Sequence, residues 1–262
     1  MAAPTDGRFL RAVAALLAVL ATFVCVAPVA AADPNALWTI VNGECVPDQQ
    51  RSADPAPCAQ VDVGGYAVLK DLVGKTQFLL IPTEHVDGIE SPQILAAGAP
   101  NYFADAWRAR SFVEQRAGRG LPRDWMSLAI NSAPERTQNQ LHIHIDCVRA
   151  DVRATLAGHA DDIGATWAEF PEPLAGQRYR AMAVWAQELD AVNPFRLLAD
   201  GLMPGDTMGA QTLAVLGTTA ADGRPGFVLL AGRADAASRG SGSSEDLQDH
   251  VSCPPSPEVI GK

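Results

Sequence analysis

The sequence predicts an α+β fold: an antiparallel sheet with helices packed on it. Three observations carry this. Leu141, Ile143 and Ile145 alternate with His142, His144 and Asp146, and a period of two marks an extended strand whose apolar side turns to a core. Residues 65–71 and 77–82 are two short aliphatic runs around Gly74, the pattern of a hairpin. Between these strands, residues 102–116 set Phe103, Trp107, Phe112 and Val113 among Arg108, Arg110 and Arg116, which suits an amphipathic helix with a charged outer face.

Taken in order, the chain opens with Arg8 and Arg11, then an uncharged run from Ala12 to Ala32 ending in Pro-Val-Ala-Ala-Ala. That is as long as the ~20 residues that span a bilayer. It reads either as a cleaved signal peptide or as a single-pass N-terminal anchor in the cell membrane. Cations before it and acid after it direct the body out of the cytoplasm in both cases. Residues 1–32 are therefore the signal or anchor, 33–253 the folded domain and 254–262 a flexible tail. Residues 37–46 form a short first element and 48–60 a loop. After the hairpin, Ser91 caps a helix that starts at Pro92. Residues 125–130 are a strand, 131–140 a polar loop, 141–146 the alternating strand, and 148–156 a following helix. Residues 166–173 are a connection. Strands at 179–184, 212–217 and 227–232 follow, with a helix capped by Asn193 between the first two. This second half has the look of a degenerate copy of the first, without a histidine pair. Residues 236–244 are Ser/Gly-rich and read as flexible.

At 262 residues, 48% of them hydrophobic, the chain has enough apolar material for a sizeable core. Its formal net charge of −10 argues against a nucleic-acid partner. Setting Cys25 aside leaves Cys45, Cys58, Cys147 and Cys253. An even number outside the cytoplasm suggests disulfides. The short Pro-containing loop favours Cys45 with Cys58, which leaves Cys147 with Cys253 and draws His250 towards the strand of the histidine pair.

Only two of the five histidines make that pair, and a strand sets them about 7 Å apart on one face. Such a face admits an inert half-exposed strand, a metal site or nucleophilic catalysis at phosphorus. A metal needs further ligands, and no other His/Cys/Glu cluster has suitable spacing. Catalysis at phosphorus needs donors for phosphoryl oxygens, which Asn131, Arg136, Gln138 and Asn139 in the preceding loop supply.

The segment from Asn131 to Asp146 resembles the histidine triad superfamily, with Gln138 four residues before His142, and Asp146 in place of the third histidine. Residues 136–147, together with Lys70-Asp71, 78–83, 88–92 and 248–250, resemble more narrowly the bacterial CDP-diacylglycerol pyrophosphatase family. The likeness covers most of the chain after the N-terminal segment. It implies hydrolysis of CDP-diacylglycerol in the membrane to CMP and phosphatidate. His144 would be the nucleophile, His142 its partner, Asn131, Arg136, Gln138 and Asn139 the holders of phosphoryl oxygens, Asp71 a neighbour of the ribose and Gln77 a neighbour of the catalytic strand. No cofactor and no catalytic metal is expected. The same chemistry on soluble nucleotide diphosphates is the alternative activity, and a binding protein that lost catalysis with the third histidine is the other class. The roles of Asp146, His85 and His250, and the oligomeric state, stay open.

Overall fold

Aliphatic and β-branched runs pair into one sheet in the computed structural model, which describes residues 33–234 and 241–254. The signal or anchor segment, the tail from 255 to 262 and part of the Ser/Gly-rich stretch lie outside the described residues. The strands are β1 Gln60–Asp62, β2 Tyr66–Lys70, β3 Phe78–Pro82, β4 Met126–Ile130, β5 Ile143–Cys147, β6 Ala168–Glu169, β7 Arg180–Val184, β8 Gln211–Thr219 and β9 Pro225–Arg233. They form a nine-stranded sheet in the order β1-β2-β3-β5-β4-β8-β9-β7-β6, with every pairing antiparallel. The helices are α1 Ala36–Ile40, α2 Val46–Ser52, α3 Tyr102–Ala117, α4 Ala150–Gly158 and α5 Pro194–Asp200, with a π-helical turn Val41–Cys45 joining the first two. Among the described residues no helix is long and apolar enough to cross a membrane.

Both faces of the sheet are covered. Every residue of β3, β4 and β5 is buried. One face carries Leu80, Leu128, Ile143 and Ile145 and packs under α3 and α5, whose Phe103 and Phe195 rings meet at 4.8 Å. The other face has three zones. Ala67, Leu69, Leu79 and Ile81 lie under Leu37, Val41 and Cys45 of the N-terminal helices. Ala214, Leu216, Val228 and Leu230 lie under Val152 and Leu156 of α4. The polar strip of β5 runs between them. Burying the apolar side chains of one such zone contributes about 1.5–3 kcal/mol for each large residue, so two apolar roofs can hold a polar seam between them.

The register makes the strip explicit. Opposite residues of an antiparallel ladder point to the same face. His144 stands opposite Leu79 on one side and Ala129 on the other, Ala129 opposite Ala214, and Ala214 opposite Leu230. The two halves repeat one arrangement. The order β2-β3-β5-β4 around α3 matches β6-β7-β9-β8 around α5, and the halves join through β4 and β8.

Other elements differ from the sequence reading in detail. Helix continues through Ser52 where a loop was expected, because Pro47 sits in the first turn of α2, where a missing N–H costs nothing. Residues 92–95 make a short 3₁₀ turn rather than a helix, and the Ser91 hydroxyl accepts from Gly88 N instead of capping it. The connection at 166–173 contains β6. Asn193 does cap α5, accepting from the amides of Phe195 and Arg196. Asn101 caps α3 by accepting from Ala104 N. Both cysteine pairs, Cys45–Cys58 and Cys147–Cys253, are bonded.

Candidate active site

The strip is built from four pieces of chain: β5, the turn between β2 and β3, the start of the loop after β4, and residues 241–253. His142 and His144 are 7% and 5% exposed, with ring centroids 4.9 Å apart and nearly perpendicular. His142 Nδ1 donates to the carbonyl of Gln140 at 2.7 Å, so its Nε2 keeps a lone pair. Burial, and then the neighbouring His144, push the pKa of His142 down to about 4. At neutral pH it is an uncharged base.

His144 is held differently. Gln77 Nε2 lies 2.7 Å from its Nδ1 and 3.1 Å from Glu245 Oε1. A carboxylate only accepts, so the Gln77 atom between them is the amide nitrogen, and His144 Nδ1 accepts as well. The ring proton then sits on Nε2, which is 3.3 Å from Glu245 Oε2 yet buried without an aligned hydrogen bond. Asp71 Oδ2 stands 3.6 Å from Nδ1. Gln77 Oε1 accepts from His250 Nδ1 at 3.0 Å. The Glu245 carboxylate also accepts from Asn131 Nδ2 at 3.1 Å, while its own amide donates to Asn131 Oδ1 at 3.3 Å. Burial raises the pKa values of both Asp71 and Glu245, but their contacts outweigh it and both stay below the usual carboxylate range. For Asp71 these are His144 and the Val73 amide; for Glu245 they are His144 and then the amides of Gln77 and Asn131.

Asp146 is fully buried on the same face. Its Oδ1 accepts from Thr76 Oγ1 at 2.7 Å and from Cys147 N at 2.9 Å, while Oδ2 has no partner. Burial pushes its pKa up to about 7. The close turn that brings Thr76 and Gln77 here requires Gly74. Its φ is +70°, and a Cβ on it would lie 2.9 Å from Gln77 Oε1.

The structure therefore gathers His142, His144, Asp71, Gln77 and Asn131 of the expected residues. Arg136, Gln138 and Asn139 have other partners. Arg136 Nη1 bonds Glu90 at 2.6 Å, packed so close that a Cβ at Gly88 would lie 2.5 Å from it. Residues 88–92 and Arg136 thus form one clip on the polar loop. Gln138 accepts from Leu37 N at 3.0 Å and donates to the Asp33 carbonyl at 2.9 Å, and Asn139 N donates to the Pro34 carbonyl at 2.6 Å; these two hold the start of the folded domain. His85 faces solvent beside Asp87 and Trp38.

Glu245 was missed. It directly follows the stretch the sequence marks as flexible, and only the disulfide and the 248–250 motif hinted that the tail returns here. Ser241–Ser244 are instead packed, with Ser244 Oγ donating to the carbonyls of Ile130 and Leu213. Gln248 then ties the segment to β4 and β5 through Ser127 and the His144 carbonyl. Among the described residues, Asp71, His144 and Glu245 are also the group compatible with a metal ion. Asp71 approaches the ring at Nδ1 and Glu245 at Nε2, and one ligand atom from each of the three residues lies within 4.8 Å of the others. The arrangement is that of an imidazole flanked by two carboxylates, with amides positioned to hold an anion.

Comparison with known proteins gives two findings. The family model described as CDP-diacylglycerol pyrophosphatase matches residues 32–255. A curated protein of Yersinia pestis named CDP-diacylglycerol pyrophosphatase is 45% identical over 220 residues, covering 83% of this chain and 83% of that protein.

Proposed function

The chain belongs to the CDP-diacylglycerol pyrophosphatase family, and from that premise we propose that it hydrolyses the pyrophosphate bond of CDP-diacylglycerol, releasing CMP and phosphatidate, through a nucleotidyl-histidine intermediate at His144. The observation that carries this reading is the buried pair of imidazoles on one strand face, with Glu245 against Nε2 of the second. His144 reacts as the tautomer with its proton on Nδ1, towards Asp71, and the Nε2 lone pair attacks the phosphorus that bears cytidine. The bond from that phosphorus to the bridging oxygen breaks and phosphatidate leaves. Water then attacks the same phosphorus, the phosphorus–nitrogen bond breaks, and CMP departs. Gln77 and Asn131, which now bond the Glu245 carboxylate, are the donors for the phosphoryl oxygens as charge develops. Asp71 holds the imidazole from its Nδ1 side. Arg136, Gln138 and Asn139 support the loop rather than the phosphate. The relation to the histidine triad superfamily is part of the same proposal. It is supported by the alternating strand and by a sheet whose two halves repeat one strand order.

A specific observation favours a second assignment of the nucleophile. The Nδ1 bond of His142 to the Gln140 carbonyl leaves its Nε2 unprotonated already. One experiment decides between the two. The purified enzyme is given CDP-diacylglycerol, or a soluble CDP-alcohol, each labelled in the cytidylyl phosphate, and is quenched during turnover. His144→Ala is expected to lose at least about 10³-fold in CMP release and all trapped label. His142→Ala should be slowed less and still trap label. Label retained on His144→Ala and lost from His142→Ala would reassign the nucleophile. Equal rates on the soluble CDP-alcohol would favour the alternative substrate class.

A further inference from the structure

The turn that supplies Asp71 and Gln77 to the site also carries an exposed apolar tip. Among the described residues, Val63, Leu72, Val73, Trp185, Met203 and Val251 are the large hydrophobic side chains in solvent. Two of them share a cleft with Asp71 of the site, and a third adjoins them on the turn. Leu72 and Val251 line one open cleft of about 710 Å³ with Lys70, Asp71, Lys75 and Arg116, and Val73 is the next residue on the turn. Leu72 is 103% exposed, and so covers no core surface of its own. Clustered apolar exposure of this kind marks a surface that meets another apolar phase.

The tip is also held in place. Asp71 Oδ1 accepts from Val73 N at 3.1 Å. Lys70 Nζ donates to the carbonyls of Asp71 and Gly74 at 2.6 and 2.8 Å. Lys75 N donates to the His250 carbonyl, and Arg116 Nε to the Lys75 carbonyl. Both Lys75 and Arg116 are exposed, and neither takes part in an ion pair among the described residues. Apolar side chains projecting beside two cations without carboxylate partners match the two layers of a phospholipid surface, acyl chains behind phosphates. The remainder of a chain of net charge −10 is repelled by such a surface, which leaves this tip as the face that approaches it.

We propose that Leu72, Val73 and Val251, flanked by Lys75 and Arg116, form a membrane-docking tip that inserts into the phospholipid surface and sets the mouth of the His144 site against it. This rests on the lipid-hydrolase reading for its kinetic consequence but not for the docking itself. Asp71 belongs to both the turn and the site, so a docked tip presents the imidazole to a headgroup while the acyl chains stay in the bilayer.

The test uses the full chain with Leu72→Asp and Val251→Asp together; neither residue is placed in the catalytic machinery. Turnover of CDP-diacylglycerol embedded in phosphatidylcholine–phosphatidylglycerol vesicles is compared with turnover of a short-chain CDP-diacylglycerol kept monomeric. The double variant should lose at least about tenfold on vesicles, the weight of one leucine's burial, and keep the wild-type rate on the monomer. Equal rates on vesicles, or equal losses on both substrates, would overturn the proposal. A second arm does not depend on catalysis: Leu72→Trp in the full chain, in vesicles with brominated acyl chains. Quenching of the added fluorescence supports docking, and its absence overturns it. If the wild-type enzyme cleaves neither substrate, the functional reading fails, and this second arm alone judges the tip.

Discussion

An imidazole and a carboxyl group sit two strand positions to either side of His144, and burial moves both into unusual protonation states. For His142 the folded value is about 4 against an ordinary 6.5. Between those pH values the unfolded chain takes up a proton that the folded chain refuses, so stability falls as pH drops from about 6.5 to 4. For Asp146 the folded value is about 7 against 3.8. Here the folded chain keeps a proton that the unfolded chain releases, so stability falls as pH rises from about 4 to 7, and the full cost remains above that. The two terms oppose each other in the wild type, and single variants separate them. Asp146→Asn should gain stability relative to wild type across that rise, on the order of a few kcal/mol by pH 8. Urea midpoints against pH measure it; a difference that does not change with pH would mean the carboxyl is not buried as described. The histidine pair was legible in the sequence because its period of two survives any tertiary detail. Glu245 was not, because nothing local to a Ser/Gly-rich stretch says that its carboxylate meets an imidazole far along the chain.

At the scale of elements, the site depends on a segment with little regular structure. Residues 241–253 make one short 3₁₀ turn, Glu245–Leu247, and are otherwise held by side chains: Ser244 on β4 and β8, Gln248 on β4 and β5, and Cys253 on Cys147. The two disulfides should therefore act differently. Cys147–Cys253 closes a sequence separation of 106 and Cys45–Cys58 one of 13. Loss of either lowers stability, by about 2–4 kcal/mol. Only Cys253→Ser should also lower kcat, because it frees the segment that sets Glu245 and His250 around Gln77 and His144. Thermal denaturation with kcat measured well below the transition tests this; equal kcat losses in Cys253→Ser and Cys45→Ser would deny the segment its positioning role. The hairpin, α3 and the capped α5 were readable from local pattern. The roof over the histidine face was not, since the residues that build it come from three distant parts of the chain.

Across the whole molecule, two halves with one strand order share one sheet, and among the described residues the histidine pair lies in the first half alone. The reason lies on a single face. On β9, the counterpart of β5, the residues facing as His144 does are Val228 and Leu230, and α4 packs over them with Val152 and Leu156. The second half thus fills with apolar side chains the place where the first keeps polar ones. A copy in backbone order but not in residue type leaves a faint trace in sequence: the strand and helix order was readable, and with it the look of a degenerate copy, while the residues themselves show no repeat. The seam between the halves is the β4–β8 ladder, where Leu128 faces Val215 and both are fully buried. Leu128 also belongs to the core under α3 and α5, so loosening it should be felt on both sides. Leu128→Ala is expected to cost about 2–5 kcal/mol and to shift one common transition. Trp38, on α1 beside His85, and Trp185, just past the end of β7, report on the two halves separately when each is replaced in turn by Phe. Coincident denaturation curves with unchanged steepness would show the halves folding as one unit. A second half that melts apart from the first would instead mean that the histidine face needs only its own half of the sheet.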